Sequence, residues 1–333
     1  MTGETNRKPT SFDVARRAGV SRSAVSRAFT PGAAVAEDTR KKVLAAAEEL
    51  GYRVNSLARG LQGDHSGIVG VLASRLDTPV RARQVQLLAQ SLIRDGFRPM
   101  LVTAENPDDV AGLFDTLLGY SVAGVVVTSD TPPQSTIEAC RKTRVPVVLI
   151  NRDAVVGWGD RVISSPDRSG QMALCMLRSS GATRFGVLEP QGHTFSVTGR
   201  ANAFKEAAGA CVCLTSKDQS YSAARAAVSA VGRAEVARVD GLFCATDLMA
   251  IGALDGLRLD LGLNVPKDIQ VVGFDDIEQA SWGAYDLSTV RQDLEAQADI
   301  ALDLLKSRTE TPDLPIRTEF VPLTPIYRSS TKS

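Results

Sequence analysis

Histidine is nearly missing from this sequence, with only His65 and His193 in 333 residues. Neither stands in metal-ligand spacing or beside a serine and acid pair suited to nucleophilic catalysis, so both read as structural or exposed. A Gly-rich phosphate loop and a nucleophile elbow are also missing, which argues against an enzyme. No cofactor and no metal are expected. Cysteine is sparse and odd in number: of Cys140, Cys175, Cys211, Cys213 and Cys244, only Cys211 and Cys213 lie close together, on an apolar, strand-like stretch. Buried free thiols are expected rather than a disulfide framework. No apolar run approaches the roughly 18 residues that span a bilayer. The polar start, MTGETNRKPT, lacks the apolar stretch of a signal peptide. A cytoplasmic protein with no membrane partner is the expectation.

Net charge is also lacking, since 38 Lys and Arg balance 38 Asp and Glu. The balance hides a segregation. Residues 1–60 carry 11 Lys and Arg against 6 Asp and Glu, and the rest carries 27 against 32. A basic module on an acidic body is expected where only the first part meets a polyanion.

What is present begins with three short helices and no strand. Thr10 can cap a first helix, Ser11 to Ala18, packed through Phe12, Val14, Ala15 and Ala18. Gly19 ends it, and Val20 can plug the gap that follows. Ser21 caps a second helix reaching Phe29, with Val25, Ala28 and Phe29 inward and Arg22, Ser23, Ser26 and Arg27 outward. Pro31 and Gly32 stop it. A third helix, Glu37 to Leu50, buries Val43, Leu44, Ala47 and Leu50 before Gly51. This is a helix-turn-helix head.

From Gly67 short β-branched runs alternate with amphipathic helical stretches, the signature of an α/β fold with parallel sheets. Expected strands are Ile68 to Leu72, Met100 to Thr103, Gly124 to Val127, Val147 to Ile150, Phe185 to Leu188, Gly241 to Cys244 and Val271 to Phe274. The repeat is too long for one doubly wound sheet, so two lobes enclosing a cleft are expected.

The run TSFDVARRAGVSRSAVSRAF, followed by VAEDTRKKVLAAAEELGY and NSLARGL, resembles the head and hinge of the LacI/GalR regulators. PVVLINR, CATDLMAIGAL, VPKDIQVVGFDD and LSTVRQ resemble that family's core motifs, in order, across nearly the whole chain. The resemblance implies a head at 1–53, a hinge at 54–65 and a core like that of periplasmic sugar-binding proteins at 66–333. Its N-lobe would span about 66–163 and 290–320, and its C-lobe about 164–289 and 321–333. Such cores dimerise in the family. The short polar end RSSTKS has no heptad zipper, which favours a homodimer over a zipper-built tetramer, and a symmetric dimer implies a roughly palindromic operator in double-stranded DNA.

The second helix would enter the major groove. Arg22, Ser23 and Ala24 occupy the family's base-selecting positions, and an Arg can form a bidentate pair with guanine. Arg27 is a second base-contact candidate, and Thr10, Ser21 and Ser26 would hold phosphates. A merely solvated polar face is the plain alternative, which the complete head outweighs. In the hinge, Leu61 sits at the family's minor-groove wedge position, supported by Asn55, Ala58 and Arg59. Val54 replaces the family's usual proline there, and an ordinary linker is the alternative.

For the cleft, Arg200 matches the family's effector-contacting arginine and Asp275 its hydroxyl-holding acid. Thr246 replaces a frequent asparagine, and Asp247 reads as structural. The aromatic pair that often follows Asn and Pro is here Val80 and Arg81 after Thr78 and Pro79. Stacking on a sugar ring is therefore compromised, whereas Arg81 and Arg152 can join Arg200 around an anionic group. Arg81 pointing to solvent or to a dimer partner is the alternative. Trp158, after PVVLINR, is a candidate to stack on a ligand, against a simply packed aromatic. The expected function is a repressor of a metabolic operon controlled by a small-molecule effector, a sugar or an acidic or phosphorylated derivative. An activator or corepressor-dependent regulator is the alternative. A transport solute-binding protein is disfavoured by the head.

Overall fold

The computed structural model describes residues 7–30, 32–53, 67–106, 108–128, 131–192 and 194–332. The chain divides into two compact units, Met1–Ser66 and Gly67–Ser333.

In the first unit α1 (Ser11–Ala18), α2 (Arg22–Phe29) and α3 (Glu37–Glu49) surround Val14, Ala15, Val25, Ala28, Val43, Ala46 and Ala47. The start of α1 is fixed by Asp13, which accepts from the Thr10 backbone N–H at 2.9 Å and from its hydroxyl at 2.6 Å. Gly19 leaves the helix at φ +67°, a left-handed turn that suits glycine. Arg40 on α3 donates to Ala28 O in the last turn of α2 at 2.7 Å and to Ala33 O beyond it at 3.1 Å, satisfying carbonyls that the helix itself cannot. Two expected core residues lie outside. Phe12 is 58% exposed and Leu44 45% exposed, because each sits one residue from a core position and so about 100° around its helix.

The second unit contains two six-stranded sheets. The first holds β1 (Ile68–Ala73), β2 (Arg98–Thr103), β3 (Gly124–Val127), β4 (Val147–Ile150), β5 (Asp160–Ile163) and a late strand, Thr318–Phe320, all parallel. Pro79 at the first helical position starts α4 (Pro79–Arg94), followed by α5 (Asp109–Gly119) and α6 (Gln134–Lys142). The inner strands β1, β3 and β4 read as near-continuous apolar runs because both faces are covered. On one face Leu87, Leu88 and Leu92 of α4 pack with Val69, Val71, Val126 and Val148. On the other, Phe114, Leu117 and Ile137 meet Leu72, Val125 and Leu149.

The chain then enters α7 (Pro166–Ser179), β6 (Phe185–Pro190), α8 (Phe195–Ala208), β7 (Cys211–Ser216), α9 (Tyr221–Val231), the short α10 (Arg233–Val236), β8 (Gly241–Cys244), α11 (Asp247–Asp255), β9 (Gln270–Asp275) and β10 (Ser288–Gln292). It returns through α12 (Leu294–Glu310) and β11 (Thr318–Phe320) to the first sheet, and ends with β12 (Leu323–Ile326) antiparallel to β10. The second sheet runs β12-β10-β9-β8-β6-β7. The chain thus passes between the sheets after β5, after β10 and after β11. Strand β10 stays in the second sheet to Gln292, and Asp293 then caps α12 by accepting from Ala296 N at 2.9 Å.

The polar end docks on the second sheet. Ser330 is fully buried, donating its hydroxyl to Val271 O and accepting from Ser288 N. Among the cysteines only Cys140 and Cys244 are buried as expected; Cys211 is half-buried, and Cys175 and Cys213 are exposed. β7 is an edge strand, which leaves part of its surface uncovered. Among the described residues no helix is long and apolar enough to cross a membrane.

Candidate functional site

On the head, Arg22, Ser23, Ser26 and Arg27 are exposed along α2 while Val25 and Ala28 face the core. Ser21 caps the helix, accepting from Ala24 N at 3.2 Å and lying 2.8 Å from the Ser23 hydroxyl. The Arg22 guanidinium rests 3.9 Å from the centre of the Phe12 ring, so that exposed aromatic orients the first arginine of the helix. Arg27 donates to Ser23 O at 3.3 Å. Ala24 is half-buried, small enough to let a helix approach another surface closely. Thr10 directs its hydroxyl to Asp13, whose carboxyl that bond holds below the usual range, with Arg7 and Arg16 adding to the effect. The hinge candidates Asn55, Ala58, Arg59 and Leu61, and both histidines, lie outside the described residues.

In the second unit a cleft is lined from both sheets, and five of the six expected ligand residues meet there: Arg81, Arg152, Arg200, Thr246 and Asp275. Trp158 does not. It is 6% exposed, donates Nε1–H to Val145 O at 2.8 Å and packs among Leu149, Ile137 and Cys140, with Arg308 over its ring. The indole is a core residue of the first sheet because its one donor already has a carbonyl there.

Arg200 projects from α8, whose backbone lies so close to α7 that a Cβ on Gly170 would stand 2.4 Å from Arg200 O. Its Nε donates to Ser196 O and its Nη1 to Ala245 O, both at 3.1 Å, and the guanidinium lies 3.6 Å from the centre of Phe274. Nη1 is 3.7 Å from Asp275 Oδ1, an ion pair rather than a direct hydrogen bond. Burial depresses the Arg200 pKa to about 10, against the opposing pull of Asp275 and Asp247. Burial likewise lifts Asp275 to about 6, opposed by Arg200, Gln292 and Arg81.

Asp275 ends β9 with φ +124° and Asp276 follows at +55°, a turn that side chains rarely adopt and that aims the carboxylate into the cleft. Asp276 is anchored by Arg291 at 2.6 Å and Arg328 at 2.7 Å. Asp247 is fully buried beneath, accepting from Thr289 Oγ1 at 2.6 Å and Ile277 N at 3.0 Å. Its position requires Gly273, where a Cβ would stand 2.1 Å from Asp247 Oδ1. Thr246 caps α11, accepting from Met249 N at 3.3 Å.

Four amides in the cleft lining escaped sequence reasoning: Gln84, Asn151, Gln219 and Gln292. Gln292 donates Nε2–H to Asp275 at 2.7 Å, and its Oε1 accepts from Ser164 Oγ at 2.8 Å and Asn151 Nδ2 at 3.3 Å. Asn151, at φ +53° after β4, also accepts from Ser164 N at 2.7 Å. Gln84 accepts from Arg81 Nη1 at 2.5 Å and donates to Gln297. Asn151 and Gln292 lie within PVVLINR and LSTVRQ, so the motifs held the signal; Gln84, amid the helical run of α4, had none.

Comparison with known proteins agrees with this anatomy. Residues 12–55 match the bacterial regulatory proteins of the lacI family, and residues 175–331 match a periplasmic binding protein-like domain. The chain is 32% identical over 315 residues to the HTH-type transcriptional regulator MalR of Streptomyces coelicolor, covering 88% of each. It is 30% identical to catabolite control protein A of Priestia megaterium, covering 93% of this chain and 98% of that one. The crystal structure of the lac repressor dimer bound to operator and the anti-inducer ONPF superposes with a TM-score of 0.85 at 23% identity, covering 98% of this chain and all of that one. Those identities, sustained over nearly the full length of both chains, place this protein in the lacI family of bacterial regulatory proteins.

Proposed function

We propose that this regulator is a repressor that binds a roughly palindromic operator as a homodimer and responds to a small polar effector held in the cleft. Each head lays α2 in the major groove, with Arg22 reading guanine and Arg27, Ser23 and Ala24 completing the base-facing surface. Thr10, Ser21 and Ser26 hold phosphates. Arg200 and Asp275 grip the effector, with Arg81, Arg152 and Thr246 around them. Relatives are named as transcriptional regulators, and one similar structure is a dimer on operator DNA. The hinge at 54–65, with Leu61 as its wedge beside Asn55, Ala58 and Arg59, carries the effector's influence to the heads.

The observation that carries the effector reading is the buried Arg200 and Asp275 pair at the junction of the two sheets. An effector acts only through its different affinity for two arrangements of the lobes, and a cleft between two sheets is where such a difference arises. Fluorescence anisotropy on a selected operator, with and without a metabolite panel, tests this. The wild type should change its operator affinity with one panel member, and Arg200→Ala should keep operator binding while losing the response. An Arg200→Ala protein that still responds fully would remove the cleft from the account.

A further inference from the structure

We infer that the first sheet carries a second ligand site, for a phosphate group, at the end of its strands away from the cleft. A cavity there is lined by Arg141, Lys142 and Arg144, where α6 ends and turns toward β4, and by Trp158, Arg308 and Asp313. Arg144 precedes β4, whereas Asn151 and Arg152, which line the cleft, follow it. The two concavities therefore lie at opposite ends of one strand.

One wall is fixed by its own hydrogen bonds. Arg308 is buried, and every N–H of its guanidinium is in use: Nε and Nη2 donate to Asp160 at 3.1 and 2.7 Å, Nη2 also to Pro315 O at 3.0 Å, and Nη1 to Pro312 O at 3.1 Å and to Leu314 O. Asp160 balances that charge, and the carbonyl bonds hold the loop that carries Asp313. Trp158 is held by its bond to Val145 O. The other three cations differ. Arg141, Lys142 and Arg144 are exposed, and no hydrogen bond or ion pair joins their side chains to any described residue. Glu138, one turn earlier on α6, is exposed and makes no ion pair with them. Asp313 is the one acid among the lining residues, so three uncommitted cations face a single carboxylate in a concavity whose walls focus the field. Arg141 and Lys142 suit the carbonyl end of α6. Arg144 lies beyond that end at φ +55°, a left-handed position that glycine or asparagine fills at lower cost, so the helix terminus does not account for it. Cations this close in sequence beside a fixed wall match the several oxygens and the double charge of a phosphate.

Calorimetry with pyrophosphate on the full-length protein tests the inference, beside the double variant Arg141→Gln/Arg144→Gln. Both side chains are exposed, so the variant should fold with an unchanged thermal midpoint. Wild type and Arg200→Ala should bind pyrophosphate alike, and the double variant about tenfold or more weakly, the size of one lost charge-assisted contact. The phosphate can belong to a free metabolite or to a nucleic-acid backbone, and a salt series with a duplex lacking the operator separates the two. A slope of log affinity against log salt smaller by about two in the double variant assigns the site to backbone phosphates. An unchanged slope with weakened pyrophosphate binding assigns it to a free phosphorylated metabolite. Pyrophosphate binding that is absent, equal in wild type and double variant, or lost only in Arg200→Ala, together with an unchanged slope, overturns the second site.

Discussion

Gln292 donates its side-chain amide to Asp275 at 2.7 Å while its carbonyl oxygen accepts from Asn151 and Ser164, so one buried side chain ties the acid of the second sheet to the end of β4 in the first. A ligand hydroxyl on Asp275 must compete with, or reinforce, the bond that also steadies the passage between lobes. Gln292→Leu keeps the volume but leaves the Asp275 and Asn151 groups short of partners, at about 1 to 3 kcal/mol for each buried group left unpaired. Urea denaturation should show that loss. Operator affinity in the absence of ligand should shift as well, because the balance between lobe arrangements is altered; an unchanged affinity and an unchanged midpoint would remove the relay.

Phe12 is on the head's surface and holds Arg22 over its ring. Arg22→Ala should relax preference at one base pair in each half-site, by about 1 to 3 kcal/mol, while other positions keep theirs. Phe12→Ala should weaken the same preference with little change in head stability. Selection profiles of the two variants would separate at different base pairs if Phe12 did not position Arg22.

Asp247 and Asp275 are two buried carboxylates served by one guanidinium, Arg200, so the folded protein takes up a proton that the unfolded chain releases. Burial lifts Asp247 to about 8, with the Asp275 charge adding to it and Thr289 and Ile277 opposing. Because the folded state binds more protons, stability falls as pH rises from the usual carboxylate range near 4 toward 8, by at most about 1.4 kcal/mol per pH unit for one proton. Asp247→Asn should flatten this trend between pH 6 and 8 in urea titrations. An identical pH slope in the variant and the wild type would contradict the shared proton.

Trp158 gives a control. Trp158→Ala should cost about 3 to 5 kcal/mol of stability through the cavity left in the first sheet's core. Ligand affinity, measured below the variant's melting temperature, should stay within error of the wild type; a specific loss of ligand binding would return the indole to the cleft.

Periodicity alone located α1 and α2 and the strands β3, β4 and β8, because apolar β-branched runs and capped helices have unambiguous local signals. It failed for β5, β10, β11 and β12. Those strands contain Asp160, Arg291, Glu319 or Pro325, which interrupt any apolar run, and where they are buried, as at Asp160, the partner is distant in sequence: Arg308 at 2.7 Å, 148 residues away. The docking of Ser330 was equally illegible, since a polar tail becomes buried only once β9 and β10 offer it partners. Family motifs recovered the charged cleft residues Arg200 and Asp275. They misplaced Trp158, because an aromatic in a loop carries no sign of which side of the sheet it will pack on.

The central claim is that the paired heads read a defined duplex sequence. Selection of bound DNA from a random pool by the full-length protein, repeated with the metabolite panel, measures it most directly. The expected result is enrichment of a symmetric site with a guanine facing Arg22 in each half, and altered enrichment with an effective metabolite. Recovery of DNA with no sequence preference over the starting pool, at moderate salt and under every ligand condition, would contradict the account.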